Sequence, residues 1–301
     1  MRFDDSRVDT SRVSDRRGAG LGGRGRSFGP GMAVGGGGGI IGLIVLAIVL
    51  FTGGDPASVG SGSGFAFPES GETETDIDTR CNASPEAIDQ YDDCFTIKVT
   101  NEIDEVWTEE FDRRGSEYTR PQLVLFEQSV QSGCGTTSAQ VGPFYCPPDQ
   151  GIFIDLRFMS ALQDQLGAEG RYAKAYILAH ETGHHIQTIT GQEAQTRRAQ
   201  QQDPSRANEL SVALELQADC YAGVWSSLAN EQGNLAITSA ELDQAIGAAE
   251  AVGDDAIQEQ GDGTVNPESF THGSSEQRRE WFMTGYDSQD IDSCDTFSVA
   301  P

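Results

Sequence analysis

The sequence predicts an α+β fold: a mostly helical domain with a small β-sheet, preceded by one N-terminal transmembrane helix. Apolar residues with helical spacing recur from residue 87 to the C-terminal region, which indicates several amphipathic helices. Only two short segments in that part have the composition of strands. One apolar run without charges lies near the N-terminus. Few strands among many helices favour a small sheet packed beside a helical bundle.

The first part of the chain predicts an arm and a membrane anchor. Residues 1–31 are rich in Arg, Asp, Ser and Gly without a hydrophobic period, so we predict a disordered arm. Residues 32–54 contain no charge, enclose the unbroken apolar run 40–51, and are long enough to span a bilayer. Seven arginines precede them, so the positive-inside rule predicts a single-pass protein of the cell membrane with a cytoplasmic N-terminus and an extracytoplasmic domain. The alternative, a cleaved signal peptide, has only a weak cleavage site after Phe51.

The rest of the chain predicts a flexible linker and one folded domain. Residues 55–80 are rich in Gly, Ser, Glu and Thr, which is typical of a flexible linker, and the domain then covers 81–301. Two strands are predicted in this domain, at 122–128 and, after a turn, at 152–156. Hydrophobic periodicity predicts its helices at about 87–113, 157–166, 171–190, 205–229, 239–258 and 275–285.

The charge distribution limits the classes of partner. The formal net charge is −27, and residues 1–39 carry seven Arg against four Asp, which leaves about −30 on the remainder. A surface this acidic does not attract nucleic acid or an anionic membrane through bulk charge. We therefore expect no nucleic-acid partner, and contact with the membrane only through the N-terminal helix.

Six cysteines lie on one side of the apolar run and form no CxxC pair, which argues against a Cys-type zinc site. An even number favours disulfides over the alternative of free buried thiols. Proximity in sequence favours Cys81–Cys94 and Cys134–Cys146, with Cys220–Cys294 as the long-range pair. Six cysteines allow about fifteen pairings, so this connectivity is a hypothesis.

The segment RYAKAYILAHETGHHIQTITG contains a candidate zinc-binding motif with a candidate catalytic base. His180 and His184 are four residues apart, so both imidazoles project from one face of a helix and can bind one zinc ion. Glu181 lies beside them, where its carboxylate can take a proton from a water molecule at the metal. The helix is otherwise mostly apolar, so these polar groups are expected to face inward and to need a partner. His185 is expected to point away from the metal.

A third zinc ligand is expected further along the chain. Gln187 and Thr190 replace the Gly and His that a third-histidine site requires. Glu215 and Asp219 lie four apart on an otherwise apolar helix, where two carboxylates are costly unless they meet a cation. We predict Glu215 as the third ligand and Asp219 as the acceptor that orients a ligand histidine. The alternatives are Asp219 or Glu209 as the ligand.

Two further features concern catalysis. His272 is a candidate hydrogen-bond donor to the oxyanion of the transition state, or a structural residue before a helix that Ser274 or Ser275 caps. Arg278 and Arg279 are expected to be surface or ion-pair residues. The strand at 151–156 precedes the zinc helix, and it could pair with an extended substrate if it lies at a sheet edge, or be a buried core strand.

Several segments resemble the bacterial "putative neutral zinc metallopeptidase" family. They are LAHETGHHIQ, ELSVALELQADCYAGVW and SFTHGSSEQRREWF. The segment YCPPDQGIFIDLRF, the Arg/Asp-rich start and the Gly-rich membrane segment are also similar, so the resemblance covers nearly the whole chain. It implies a zincin-like fold and zinc dependence, with the metal role on His180 and His184 and the base role on Glu181. It does not identify the third ligand.

The sequence therefore predicts a membrane-anchored zinc metallopeptidase with one Zn²⁺ ion and a protein or peptide substrate. One alternative is a catalytically silent zinc-binding scaffold domain of the cell envelope, and another is a non-peptidase zinc hydrolase acting on an envelope component. Glu181 argues against the scaffold, because a purely structural zinc site needs no general base.

Overall fold

A computed structural model describes residues 1–3, 7–17, 77–138, 142–159, 171–232, 235–261 and 263–298. This part of the chain is mostly helical with small sheets. The helices are α1 (Ile77–Cys81), α2 (Ala87–Gln90), α3 (Asp92–Arg113), α4 (Arg171–Ile189), α5 (Gln192–Gln202), α6 (Ala207–Gln232), α7 (Ser239–Ala251), α8 (Asp254–Gly261) and α9 (Ser275–Ser288). The strands are β1 (Arg2–Phe3), β2 (Val13–Asp15), β3 (Gln122–Phe126), β4 (Ser129–Ser132), β5 (Gly135–Ser138), β6 (Phe144–Cys146), β7 (Gly151–Asp155) and β8 (Leu235–Ala236).

The main sheet has four strands in the order β2-β3-β7-β6. β2 and β7 both run parallel to β3, whereas β6 is antiparallel to β7 and forms an edge. All five residues of β7 are buried because it is an interior strand. Of the two alternatives for 151–156, the core strand is correct and the substrate-binding edge is wrong.

The two faces of the sheet pack against different partners, as the alternation of side chains along a strand requires. Leu123, Leu125, Ile152 and Ile154 join the large core that the helices share. The opposite face forms a smaller cluster under the β4–β5 hairpin. This cluster contains Val124, Phe126, Val130, Phe144, Cys146 and Phe153.

The helical layer is built around α4 and α6, which pack against each other and against α3, while α9 packs on α6. Gly183 lies at the contact between α4 and α6. A Cβ atom on Gly183 would lie 2.9 Å from the Cα of Ala218 and 3.0 Å from its carbonyl oxygen. A glycine is therefore needed here, because the two backbones approach closer than any side chain permits. At the α6–α9 contact, a Cβ on Gly285 would similarly overlap the Cys220 carbonyl oxygen.

All three predicted disulfides are confirmed. They join Cys81 to Cys94, Cys134 to Cys146 and Cys220 to Cys294, so all six cysteines of the chain are paired. Cys81–Cys94 ties α1 to α3, and Cys134–Cys146 ties the β4–β5 hairpin to β6. Cys220–Cys294 ties α6 to the segment after α9.

The prediction of a disordered arm is wrong for residues 1–3 and 7–17. β1 pairs with β8, and β2 pairs with β3, so the arm is part of the folded domain. Val8 is only 2% exposed within it. The rest of the predicted arm and most of the predicted linker lie outside the described residues, and the last four linker residues belong to α1.

The predicted membrane topology also requires correction. No helix within the described ranges is long and apolar enough to span a bilayer, and the segment 32–54 lies outside those ranges. The prediction placed the arm in the cytoplasm and the domain outside the cell. Backbone pairing of β2 with β3 is incompatible with that separation, because hydrogen-bonded strands must share one side of a membrane. The single-pass arrangement, and membrane contact through it, are therefore withdrawn.

Some helices and strands differ from those that hydrophobic periodicity predicts, because contacts between distant parts of the chain determine where they begin and end. The helix predicted at 239–258 is divided between α7 and α8, because Ser275 inserts at the break and donates its hydroxyl to the Glu250 carbonyl oxygen at 2.8 Å. α9 begins with a capping box formed by Ser274 and Gln277. Of the two predicted N-cap residues, Ser274 is therefore the correct one. α5 and the β4–β5 hairpin were not predicted. The helix predicted at 157–166 lies mostly outside the described residues.

Gly183→Ala is expected to lower the free energy of unfolding by roughly 1–3 kcal/mol, because the new methyl group forces α4 and α6 apart. Gly247→Ala is the matched control, since Gly247 lies in α7 and no atom of the described residues comes within 4 Å of where its Cβ would be. That change should be neutral or stabilising by up to about 1 kcal/mol. Urea denaturation of both variants measures the difference, and equal stabilities would contradict the assigned helix contact.

Candidate metal centre

α4 and α6 bring two imidazoles and one carboxylate to a common point. The Nε2 atom of His180 lies 3.2 Å from Oε2 of Glu215, and the Nε2 atom of His184 lies 3.5 Å from Oε1. One potential ligand atom from each of the three side chains lies within 4.8 Å of the other two. The helical spacing of four places the imidazoles on one face, and the close contact at Gly183 brings the carboxylate within reach.

The donor set fits a zinc ion. Two imidazole nitrogens and one carboxylate oxygen are a common set of protein ligands for a catalytic zinc, which keeps a further position open. Glu215 is 1% exposed, yet its Oε1 atom has no hydrogen-bond partner among the described residues, so a buried anionic oxygen is left for a cation to satisfy. His180, His184 and Glu215 are therefore the residues that could hold the metal.

His180 is oriented by Asp219. Its Nδ1 atom lies 2.8 Å from Oδ1 of Asp219, and an ionised carboxylate can only accept a hydrogen bond. Nδ1 therefore carries a proton that Asp219 accepts, and Nε2 is the ring atom directed toward Glu215. Burial opposes the charged form of His180, but Asp219 and Glu215 outweigh it and raise the pKa of this ring to about 10. A metal ion at Nε2 must therefore displace a proton.

His184 is oriented by Gln187, a residue that the sequence did not single out as functional. The Nδ1 atom of His184 lies 2.9 Å from Oε1 of Gln187. The amide nitrogen of Gln187 donates to the carbonyl oxygen of Leu214 at 2.7 Å and to Oε1 of Gln217 at 3.1 Å. These two bonds fix the amide orientation, so Oε1 faces His184 and accepts the Nδ1 proton. Nε2 of His184 is left available to a metal.

Arg278 is a further residue of the site. The sequence predicted it as a surface or ion-pair residue and did not indicate that its ion pair lies at the metal centre. Its side chain is 3% exposed and binds both oxygens of Asp219, with Nε to Oδ2 at 2.7 Å and Nη2 to Oδ1 at 3.0 Å. The Tyr176 hydroxyl donates to the same Oδ1 at 2.5 Å. Burial works to raise the pKa of Asp219, but Arg278 and His180 outweigh it and lower that pKa to about 2. Asp219 therefore stays ionised and continues to accept the hydrogen bond from His180.

Glu181 lies beside the two histidines and is 8% exposed. Burial raises its pKa above the ordinary value, and the nearby His184 and His180 oppose that effect. The backbone of Tyr145, in the edge strand β6, acts on this carboxylate in the direction that lowers its pKa. A carboxylate with a raised pKa next to a metal site has the properties of a general base.

His272 is buried near the site and is oriented by Asp254. Its Nδ1 atom lies 3.2 Å from Oδ1 of Asp254, whose other oxygen accepts the backbone N–H groups of Thr271, His272 and Gly273. The Nε2 atom of His272 has no hydrogen-bond partner in the described part of the chain, although the residue is 2% exposed. Burial works to raise the pKa of Glu215, but His184, His180 and His272 outweigh it and lower that pKa, so the His272 ring lies near this carboxylate. Asp254 was not identified from the sequence.

The remaining candidates lie away from the three ligand atoms. Glu209 is on the surface and pairs with Arg206, with Nε to Oε2 at 3.0 Å. Both carboxylate oxygens of Asp219 already accept hydrogen bonds, from His180, Tyr176 and Arg278. His185 points away, as expected, and its Nε2 and Nδ1 atoms contact the Thr119 carbonyl oxygen at 2.5 Å and the Tyr145 hydroxyl at 3.0 Å.

Comparison with known proteins identifies the family of the chain. Residues 1–297 match the model of a family described as "Putative neutral zinc metallopeptidase". The chain is 44% identical over 204 residues to the "Uncharacterized protein YpfJ" of Escherichia coli K12, covering 67% of this chain and 70% of that protein. It is 39% identical over 231 residues to the "Uncharacterized protein Rv2575" of Mycobacterium tuberculosis H37Rv, covering 74% of this chain and 76% of that protein. No solved structure matches significantly.

These matches settle the family, and the resemblance recognised in the sequence is confirmed. The chain belongs to the family described as "Putative neutral zinc metallopeptidase". The family description implies a zinc ion and a protein or peptide substrate.

Arg278→Met is expected to weaken zinc binding by about 10- to 100-fold, because Asp219 loses its counter-charge and with it the orientation of His180. Arg279→Met is the matched control, since Arg279 is the next residue of α9 and its side chain is 55% exposed. Chelator competition measures both affinities, and Arg278→Lys should restore part of the loss. Unchanged affinity in Arg278→Met would refute the orienting role.

Proposed function

We propose that this member of the zinc metallopeptidase family hydrolyses peptide bonds, with Glu181 as the general base and one zinc ion held by His180, His184 and Glu215. The observation that carries the proposal is the common orientation of these side chains. The three ligand atoms converge, while Glu181 lies on the same helix as the histidines and outside the ligand set. This division separates metal binding from proton transfer.

When bound, a zinc ion supplies Lewis-acid chemistry, polarising a water molecule and the carbonyl group of the substrate. Glu181 accepts the proton that the attacking water loses and passes it to the nitrogen of the departing amine. The raised pKa of Glu181 suits both steps, because the group must bind a proton and then release it.

The Nε2 atom of His272 supports a third role. If it is protonated, this unpartnered nitrogen can donate a hydrogen bond to the carbonyl oxygen of the substrate as negative charge develops there. Asp254 accepts from Nδ1 in that arrangement and so holds the ring in the required orientation. Asp254 is therefore a positioning residue in this proposal.

The edge strand β6 gives the substrate a place to bind. It is an outer strand of the sheet and packs against α4, and the backbone of its residue Tyr145 acts on the pKa of Glu181. An extended peptide can add to such an edge by backbone hydrogen bonds. This role replaces the one expected for 151–156.

Glu181→Gln should retain zinc and lose cleavage, because the amide cannot accept the proton of water. We expect zinc affinity within about threefold of wild type and a fall in kcat of at least about 10²-fold. Zinc analysis and cleavage of a peptide library measure the two properties. A wild-type protein that binds zinc but cleaves no peptide would favour the scaffold alternative, and full activity in Glu181→Gln would remove this residue from the mechanism.

His272→Ala should lower kcat by about 10²-fold and leave KM and zinc affinity nearly unchanged, because the donor acts on charge that exists only in the transition state. Steady-state kinetics combined with chelator competition separates the two effects. A parallel loss of zinc affinity would instead make His272 part of the metal-holding set.

A further inference from the structure

The folded part of the N-terminal arm is bound to the domain in the way that a peptide ligand is bound. Residues 7–17 run across α1, α3 and β3, with the side chain of Val8 buried in the core. The remaining contacts are mostly hydrogen bonds to the backbone of the arm, together with ion pairs near its two ends.

Two asparagine side chains recognise consecutive residues of the arm. Oδ1 of Asn82 accepts the N–H of Val8 at 3.0 Å, and its Nδ2 donates to the Val8 carbonyl oxygen at 3.1 Å. Asn101 forms the same pair of bonds with Asp9, at 2.8 and 3.1 Å. Each side-chain amide therefore forms hydrogen bonds with both the N–H and the carbonyl oxygen of one residue, as a residue of a neighbouring strand would. This mode of recognition is common where proteins bind extended peptides.

The arm continues as a strand on the edge of the main sheet. Val13, Ser14 and Asp15 pair in parallel with Leu123, Val124 and Leu125. The N–H of Leu123 donates to the Arg12 carbonyl oxygen at 3.0 Å, and the N–H of Arg16 donates to the Leu125 carbonyl oxygen at 2.7 Å. Without the arm, β3 would present an open edge, which favours pairing with another strand.

The receiving surface is held together by contacts that do not involve the arm. The Cys81–Cys94 disulfide joins α1 to α3, so Asn82, which directly follows α1, is covalently connected to the helix that carries Asn101. The Asn82 side chain is also held by the carbonyl oxygen of Asp78, at 3.0 Å from Nδ2. These contacts connect the two asparagines to the domain independently of the arm.

The charges of the surface match those of the arm. Arg7 pairs with Asp78 at 2.6 Å, and Arg17 pairs with Asp93 at 2.9 Å. The surface thus provides an acidic group near each end of a segment that carries arginines at both ends.

We propose that Asn82, Asn101 and the edge of β3 form a peptide-binding groove that accepts residues 7–17 of a second copy of this chain as well as its own. Residues 18–76 separate the arm from α1, so 59 residues connect the ligand to its groove. The arm of a second copy makes identical contacts, so two copies can associate by exchanging arms.

The test uses the full chain with its own arm weakened by Val8→Asp, which places a charge in the buried position. The probe is a fluorescent synthetic peptide with the sequence of residues 7–17. We expect saturable binding to Val8→Asp protein, at least tenfold weaker binding to wild type, whose groove is occupied, and at least tenfold weaker binding to Val8→Asp/Asn82→Ala/Asn101→Ala protein. A probe that itself carries Val8→Asp is the matched control and should not bind.

Two results would overturn the proposal. One is the absence of binding to a Val8→Asp protein that circular dichroism shows to be folded. The other is equal binding when both asparagines are replaced. If Val8→Asp prevents folding, Val8→Ala takes its place, because it removes apolar contact without burying a charge.

Discussion

The contact between α4 and α6 at Gly183 and Ala218 is the constraint on which the rest of the site depends. The imidazoles and the carboxylates lie on different helices, so their distance is set by how closely the two backbones pack. No side chain fits between the helices at this point. Glu215 and Asp219, one turn apart on α6, then meet the same histidine from two sides: Glu215 at Nε2 and Asp219 at Nδ1.

The buried charges around this contact do not balance within the protein itself. Glu181, Glu215 and Asp219 are all buried, and Arg278 is the buried guanidinium bound among them. With neutral imidazoles, three carboxylates against this guanidinium leave two negative charges. A divalent cation compensates them, which agrees with the family to which the chain belongs. The burial of so many acids next to apolar core residues is otherwise costly.

The sequence predicted the parts of the molecule that depend on local spacing. His180, His184, Glu215 and Asp219 were recognised because a spacing of four on an apolar helix is informative without knowledge of the fold. Two of the disulfides followed from proximity along the chain, and the third joins the two cysteines that remained. Residues that act across the fold carried no such pattern. Arg278 touches the site only because α9 packs on α6, and Asp254 orients His272 across a gap of 18 residues. Gln187 lies three residues after His184 on the same helix, but its orientation depends on Leu214 and Gln217 of α6.

The elements that were missed have equally physical causes. α5 has only one buried residue, Thr196, so it lacks the apolar period that predicts a helix. β6 is three residues long and precedes a turn. The arm has few apolar residues and obtains its order from Asn82, Asn101 and the edge of β3, which compositional criteria for disorder do not take into account.

The Cys220–Cys294 disulfide has a consequence for the metal centre. Cys220 directly follows Asp219 on α6, and its bond ties this helix to the segment beyond α9. The carbonyl oxygen of Cys294 accepts a hydrogen bond from Gln217, whose side chain in turn contacts Gln187 behind His184. The disulfide therefore connects both the carboxylate beside His180 and the amide network behind His184 to the segment that follows α9.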